Sequence, residues 1–598
     1  MTADLYEHEQ INEREKEIGS RKAFAKLLPL LSEHRKALFL CLILLAGATL
    51  LSLTWPLLLK RALDVDIAND NLKGLLMTVA AIGLIQISTM VLQYLMRVKL
   101  EIIGQDVMLT LKRKLFHHIL SLDVDFFDKN PVGRLMARVE SDTEALRMLF
   151  TNTVVMLVGD AILILGIYGV LFYTEWRLAL ILFVSVPLVG LMVYVFHKKT
   201  TPKFLAVRKK MAEVTATLTE FLHGMSIIQI FHRGAYARYR VFKANEAKFK
   251  DDAFVNIGVV LFFNTVFFLE YIKIGLVLVM GPILGITYGT ILMFIIYIWR
   301  SFEPIWRTSE QLSTFQKAVA GSKRIFALLA RKSKLPIPTR PVSWSKLEKG
   351  IRFEDVSFSY NDNGNWALKD ATFEIPVGKR VALVGVTGGG KTTVISLLLR
   401  LYDPQKGRIT VDGIDIREMA VDELRSRLAL VLQDIVLFPG DVSSNISLES
   451  ETITADVIEM AAQTVEADRF IRKLPNGYST EVSEKGSNFS RGERQLLSFA
   501  RALAFDPDVL ILDEATSSVD PETERTIQSS LKKLMQGRTS LIIAHRLSTI
   551  LDVDQILVIK RGEIIERGTH TELILMDGYY SKLFHLQFKS KNGVLANA

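Results

Sequence analysis

Six long apolar runs crowd the first half of the sequence, at 38–59, 75–96, 154–173, 178–196, 254–280 and 283–299. Each approaches the roughly 20 residues that a helix needs to cross the hydrocarbon core of a bilayer. Any one of them would also suit a buried helix of a soluble protein. Six within half a chain, some at hairpin spacing, do not. Only Thr174-Glu175-Trp176-Arg177 separates the third run from the fourth, and only Gly281-Pro282 the fifth from the sixth, which predicts two tight helical hairpins. Cys41, the single cysteine, lies inside the first run, so it reads as a packing residue with no disulfide partner in the chain.

The connections between runs differ in charge. Arg97, Lys99, Lys112, Arg113, Lys114, Lys129, Arg134 and Arg138 lie between the second and third runs. Lys198, Lys199, Lys203, Arg208, Lys209, Lys210, Arg233 and Lys250 lie between the fourth and fifth. The other three connections hold only Lys60, Arg61, Lys73 and Arg177. By the positive-inside rule the two basic connections face the cytoplasm, and an even number of spans leaves both termini there. Both basic connections are long, helical in pattern and poor in Gly and Pro, so they read as membrane helices running on into the cytoplasm. Basic residues at the inner face, which attract anionic membrane lipid, explain much of the net charge of +9. A nucleic-acid partner is the other reading of such a charge, and the spans argue against it. Residues 1–36 are charged throughout and lack a signal-peptide cleavage pattern. The stretch 22–38 suits a helix on the membrane surface and a solvated charged helix equally well.

The second half has a different texture. A Pro-rich stretch, 332–341, follows a helical pattern that ends near Leu329. Beyond it, short β-branched runs alternate with helical ones, an α/β layout with a mainly parallel sheet. The expected division is therefore 1–36 an N-terminal segment, 37–329 a six-helix membrane domain, 330–350 a linker, 351–590 an α/β P-loop NTPase domain and 591–598 a tail. The run Val381-Ala382-Leu383-Val384 enters Gly385-Val386-Thr387-Gly388-Gly389-Gly390-Lys391-Thr392, and an apolar helix follows. This is a phosphate loop. Its glycines let the backbone wrap phosphates at a helix N-terminus. Gly385, Thr387, Gly388, Gly389, Gly390, Lys391, Thr392 and Thr393 are candidate ATP contacts, with Lys391 on the β- and γ-phosphates and Thr392 on Mg²⁺. Val509-Leu510-Ile511-Leu512 leads to Asp513-Glu514. Asp513 can hold Mg²⁺ through water, and Glu514 can polarise the attacking water.

Further motifs follow in order. They are Tyr360 after the first strand, Gln433 in Leu432-Gln433-Asp434, and Phe489-Ser490-Arg491-Gly492-Glu493-Arg494-Gln495. Ser517-Ser518-Val519-Asp520 and Ala544-His545-Arg546 complete the set. With the phosphate loop and Asp513-Glu514, this series resembles the nucleotide-binding domain of ABC transporters. Phe126-Phe127-Asp128-Lys129-Asn130-Pro131-Val132-Gly133 with Arg138-Val139-Glu140-Ser141-Asp142, and the stretch from Glu220 through Gly224 to Phe231, resemble the two inner loops of ABC exporters. The resemblance covers nearly the whole chain. It implies that Tyr360 stacks on adenine, that Gln433 and His545 sense the γ-phosphate, Mg²⁺ or attacking water, and that Asp520 belongs to the D-loop. It also implies that the inner loops carry coupling helices that dock on the ATPase domains.

The resemblance further implies a half-transporter. One phosphate loop and one signature make half a site, because the family sandwiches each ATP between the loop of one chain and the signature of the other. Ser490 and the Gly492 N–H would then meet the γ-phosphate across a dimer. A homodimer is favoured over a heterodimer. The expected function is ATP-driven export or flipping of small amphipathic compounds, drugs or lipids, at a bacterial inner membrane with the ATPase domain cytoplasmic. Intact Glu514 and His545 argue against a cassette-gated channel or regulatory subunit. The spans argue against a soluble DNA-maintenance ATPase, and a peptide-processing exporter is disfavoured. Two departures stand out. Gly389 replaces the usual Ser or Ala, and Glu493 replaces the usual signature Gln, where Arg491 or Arg494 is expected to offset its charge. In the spans, Asp160 and the pair Glu270 and Lys273 are polar candidates, and the i,i+3 spacing lets the latter two pair.

Overall fold

The computed structural model describes residues 29, 32–333, 335–336, 338–361, 365–513, 521–544 and 550–586. The stretch 22–28, the D-loop motif, Glu514, Asp520 and His545 lie outside them, as does the tail. The chain divides into two compact units, one of Met1–Leu120 and Val132–Arg331 and one of Ser121–Pro131 and Lys332–Ala598.

The first unit is helical. Five of its helical stretches are long and apolar enough to cross a membrane: Arg35–Ile67, Leu72–Leu120, Val132–Thr174, Trp176–His223 and Gly234–Ile283. The sixth apolar run falls in the helix Tyr288–Leu329, where Arg300 and Glu303 cut the apolar stretch short. Leu72–Leu120 and Gly234–Ile283 have 49 and 50 residues. At about 1.5 Å per residue each is roughly 75 Å long, more than twice the hydrocarbon thickness of about 30 Å. The third and fourth runs meet at Glu175 alone, whose extended backbone (φ −152°) separates Val154–Thr174 from Trp176–Phe183. Leu163, Ile167, Leu178, Val277, Phe294 and Tyr297 are buried in one cluster that joins these helices, and the Tyr297 hydroxyl donates to the Leu53 carbonyl.

The hairpin between the fifth and sixth runs is not at Gly281-Pro282. Both residues lie within Gly234–Ile283, and the helix stops at Gly285 (φ +69°). There the Gly285 N–H donates to Pro282 O at 3.1 Å and the Ile286 N–H to Gly281 O at 2.9 Å. This paired bonding satisfies the last carbonyls and requires the left-handed conformation that glycine adopts freely. Gly281 serves packing instead, since a Cβ there would lie 2.7 Å from Ile291.

The membrane charges also differ from the sequence expectation. Glu270 and Lys273 are both buried, but the Lys273 ammonium lies over the Phe302 ring at 4.6 Å, and Glu270 Oε1 has no hydrogen-bond partner. Spacing brings the two near each other, yet packing turns the lysine to an aromatic face. Asp160 is not alone, because Arg307 donates to it at 2.8 Å.

The second unit is α/β. Its strands are β1 (Gly350–Phe358), β2 (Leu368–Pro376), β3 (Arg380–Val384), β4 (Lys406–Val411), β5 (Ile414–Asp415) and β6 (Leu428–Val431). They continue with β7 (Gly440–Asp441), β8 (Glu481–Val482), β9 (Val509–Asp513), β10 (Thr539–Ile543), β11 (Gln555–Lys560) and β12 (Glu563–Gly568). The main sheet has the order β12-β11-β3-β10-β9-β6, parallel from β11 to β6 with β12 antiparallel. A second, antiparallel sheet has the order β2-β1-β4-β5. The parallel strands are apolar on both faces, as a doubly covered sheet requires. Val381 and Leu383 of β3 enter the core shared with the second sheet, while Ala382 and Val384 enter the core under the helices. The stretch after Lys332 is tied to this unit. The Trp344 indole donates to Asp412 at 3.0 Å, Asp412 also accepts from the Lys349 and Gly350 N–H groups, and Arg400 donates to Pro336 O at 2.9 Å. Those bonds hold the Asp412 carboxyl below the usual carboxylate range against the opposing effect of burial.

Candidate functional site

In a parallel sheet the C-terminal strand ends share one edge, where ligands bind. Here that edge gathers three of the motifs. The phosphate loop leaves β3, Asp513 ends β9, and Gln433 lies two residues beyond the end of β6. β10 lies between β3 and β9 and ends at Ile543, two residues before His545.

Three glycines of the phosphate loop lie too close to neighbouring backbone for a side chain to fit freely. A Cβ on Gly385 would lie 2.2 Å from Ile559 O, and one on Gly390 (φ +108°) 2.5 Å from Ala367 O. A Cβ on Gly389 would meet Val386 O at 3.0 Å, and the Gly389 carbonyl accepts from the Gly562 N–H at 3.0 Å. Glycine in place of Ser or Ala thus relieves a tight contact. The helix Lys391–Leu398 begins at once. Lys391 is 6% exposed, and its ammonium donates to Gly385 O at 2.8 Å and Val386 O at 3.0 Å. Burial pushes its pKa down, and the nearby Asp513 carboxylate opposes that shift. Thr392 is exposed and Thr393 buried.

Tyr360 lies two residues past β1. Its hydroxyl donates to Thr393 Oγ1 at 3.3 Å. Its ring meets Phe358 at 4.9 Å and Tyr402 at 5.3 Å, both edge-on. The ring remains 42% exposed, held by two aromatic neighbours with area left for another.

The signature is placed elsewhere. Ser490 caps the helix Arg491–Ala504, which packs on Val442–Ser447, Ala455–Thr464, Pro521–Met535 and β6. Gly492 is buried, and a Cβ there would lie 2.2 Å from Thr523 Cγ2, so this glycine is fixed by packing as well. Glu493 is not offset in the way the sequence suggests. Its carboxylate accepts from the Ser490 N–H at 2.8 Å, and the Glu493 N–H donates to Ser490 Oγ at 3.3 Å. Arg494 instead donates to Gly486 O at 3.2 Å. The charge is accommodated by a reciprocal capping box and by the positive end of the helix. Glu493→Gln should therefore leave thermal stability nearly unchanged, because Gln also fits the box, while Glu493→Ala should cost about 1 kcal/mol. Equal melting temperatures for the two variants would refute the capping role.

The magnesium donors named from sequence are hard oxygens: the Thr392 hydroxyl, the Gln433 amide and the Asp513 carboxylate. Among the described residues no cluster of three or more acidic, His or Cys groups could hold a metal. Hard oxygen donors suit Mg²⁺, which usually keeps waters and takes one or two protein oxygens plus substrate phosphates. Sequence reasoning missed Tyr402 and its links. Its partner Asp128 is distant in sequence, so no local pattern signals the link.

Family profiles match twice: the ABC transporter transmembrane region over residues 38–300 and the ABC transporter cassette over 368–517. A putative ABC transporter ATP-binding protein, exp8, of Streptococcus pneumoniae is 34% identical over 94% of this chain and 97% of its own length. The probable multidrug resistance ABC transporter ATP-binding/permease protein YheH of Bacillus subtilis is 36% identical over 88% of this chain and 78% of its own. An ATP-dependent lipid A-core flippase of Desulfotalea psychrophila is 35% identical over 83% of this chain and 87% of its own. A solved structure of a bacterial Atm1-family ABC exporter with ATP bound matches with a TM-score of 0.74 and 26% identity, over 94% of this chain and 99% of that one.

Proposed function

Since this chain belongs to the ABC transporter family, as a multi-pass membrane protein with an ATP-binding cassette whose ATPase is coupled to transport, we propose that it exports or flips amphipathic drugs or lipids as a dimer. The observation that carries the reading is the sheet edge where the phosphate loop, Asp513 and Gln433 converge, in a chain that also holds long apolar helices. We place the membrane domain at 37–329 and the cassette at 351–590, with the cassette on the cytoplasmic side of a bacterial inner membrane. Relatives that bear the names multidrug resistance transporter and lipid A-core flippase support the substrate class.

The chemistry assigned to this chain's own residues is positioning. The Gly385–Gly390 backbone and Lys391 hold the phosphates, Tyr360 holds the base, and Glu514 orients the attacking water, with Gln433 and His545 beside it. Mg²⁺, held by Thr392 and Gln433 and through water by Asp513, would neutralise charge on the β- and γ-phosphates. One phosphate loop and one signature per chain support completion of each site by a second chain. Ser490 and the Gly492 N–H would meet the γ-phosphate from across that interface, with Asp520 beside it, and hydrolysis would remove the bridge.

A cavity of about 610 Å³ in the membrane unit supports an amphipathic substrate. Leu45, Met96 and Leu163 line it with apolar surface, and Asp160, Arg300 and Arg307 with charge. Reconstituted into lipid discs, the protein should show ATPase activity stimulated severalfold by at least one lipid or cationic drug of a panel. No stimulation by any amphipath would count against this substrate class. A tagged copy should retain an untagged copy of the same chain on purification. Retention of a different cassette protein instead would establish a heterodimer.

A further inference from the structure

The first inner loop folds with the cassette rather than with the membrane helices that flank it: Ser121–Pro131 belongs to the same compact unit as Lys332–Ala598. The segment is internally braced. Asp123 caps the short helix Val124–Lys129 by accepting from the Phe126 N–H at 3.1 Å. Asn130 donates to Phe126 O at 2.8 Å, Lys129 pairs with Asp125 at 2.8 Å, and Phe126 is fully buried. Asp128 accepts a hydrogen bond from the hydroxyl of Tyr402. Tyr402 in turn packs its ring against Phe358 and Tyr360, each with centroids 5.3 Å apart. The loop is therefore one hydrogen bond and one ring contact away from Tyr360, whose ring is anchored on Thr393 behind the phosphate loop.

From this arrangement we infer that Tyr402 is a positioning residue through which the first inner loop reads the nucleotide base, independently of the phosphates. The inference rests on the assignment of Tyr360 as the base platform. The argument is geometric. A base stacked on the free area of Tyr360 confines that ring, and the edge-on Tyr402 cannot shift without moving against it. Tyr402 also holds a carboxylate of the loop through a charge-assisted bond, stronger than one between neutral groups. Base occupancy and loop position are then two ends of one contiguous contact chain, and their coupling is a measurable free energy. The loop thus distinguishes a nucleoside triphosphate from a bare polyphosphate, although both fill the phosphate loop.

Hydrogen exchange of residues 121–131, followed in the full-length protein in lipid discs, tests this. Magnesium ATP should slow exchange there by about three- to tenfold more than saturating magnesium tripolyphosphate, the range expected from one hydrogen bond. In Tyr402→Phe, which keeps the ring and drops the hydroxyl, the two ligands should give the same exchange. ATP affinity in that variant should stay within twofold of wild type. Asp128→Asn keeps an acceptor and should retain the ATP-specific protection, while Asp128→Ala should lose it. Undiminished ATP-specific protection in Tyr402→Phe, or none in the wild type, would overturn the inference. Tyr360→Ala separates the two readings. Unchanged ATP affinity in that variant removes the base platform itself. Affinity lowered about tenfold, with Tyr402→Phe unaltered in exchange, removes only the role of Tyr402.

Discussion

Lys391→Ala should abolish ATP turnover and weaken ATP binding by at least about 100-fold. The ammonium of Lys391 donates to two carbonyls of its own loop, Gly385 O and Val386 O, in a site where it is almost fully buried. Both acceptors are neutral. Binding of ATP replaces them with phosphate oxygens, and hydrogen bonds to charged groups contribute about 1.5–3 kcal/mol each against roughly 1 for neutral ones. Two such exchanges give a difference of about 1–4 kcal/mol, and the attraction of one full charge for a polyanion adds to it in so dry a site. The alanine variant also leaves two carbonyls unpartnered, at a cost of about 1–3 kcal/mol each, so circular dichroism and a melting curve must first show a folded cassette. Lys391→Arg keeps the charge but offers a planar fork where a compact ammonium fits, and it should be nearly as inactive. Phosphate release and equilibrium binding of a fluorescent ATP analogue read both variants. Turnover by folded Lys391→Ala within tenfold of wild type would remove Lys391 from the phosphate site.

How much of this could be read from sequence depends on whether a residue acts locally or at a distance. The apolar runs and the phosphate loop are local patterns, and the parallel sheet follows from strands apolar on both faces. The edge that gathers the phosphate loop, Asp513 and Gln433 is then a consequence of parallel order. Gly281-Pro282 resembles a turn in sequence, yet the fifth helix runs on through it. The deciding residue is Gly285, which alone supplies the left-handed stop, while Gly281 answers to Ile291 across the hairpin. Glu493 stands in the signature, where a carboxylate near phosphate calls for a compensating arginine. Its spacing from Ser490 already wrote a capping box. Lys273 could not be placed by i,i+3 spacing, since the Phe302 ring that receives it comes from another helix. The tie from Tyr402 to Asp128 joins residues far apart in sequence and had no local signature.

Glu514→Gln should retain ATP binding, lower hydrolysis by about 10²–10⁴-fold and hold the dimer closed. The size follows from the usual contribution of a positioned general base. In sequence the residue follows directly on β9, a buried strand paired in parallel with β10 and β6. Gln preserves shape and hydrogen bonding but accepts no proton, and the phosphate loop, Lys391 and the signature are untouched. Ground-state binding should survive while the chemical step fails, which is the pattern of a group that acts only in the transition state. The consequence for conformation is separate. Moving a two-state equilibrium from 1:99 to 99:1 takes about 5.5 kcal/mol of differential binding, and in the proposed dimer two ATP molecules, each bridging a phosphate loop to the Ser490 and Gly492 of a second chain, would supply it. On this proposal wild-type protein would remove that bridge by hydrolysis, and Glu514→Gln would not. Spin labels on two cassettes in lipid discs should report a short distance that persists after excess ATP is washed away, and Ser490→Ala in the same background should weaken it. Turnover within tenfold of wild type would show that another group orients the water. Abolished turnover with no persistent closure would leave Glu514 catalytic and refute the trans contact of the signature.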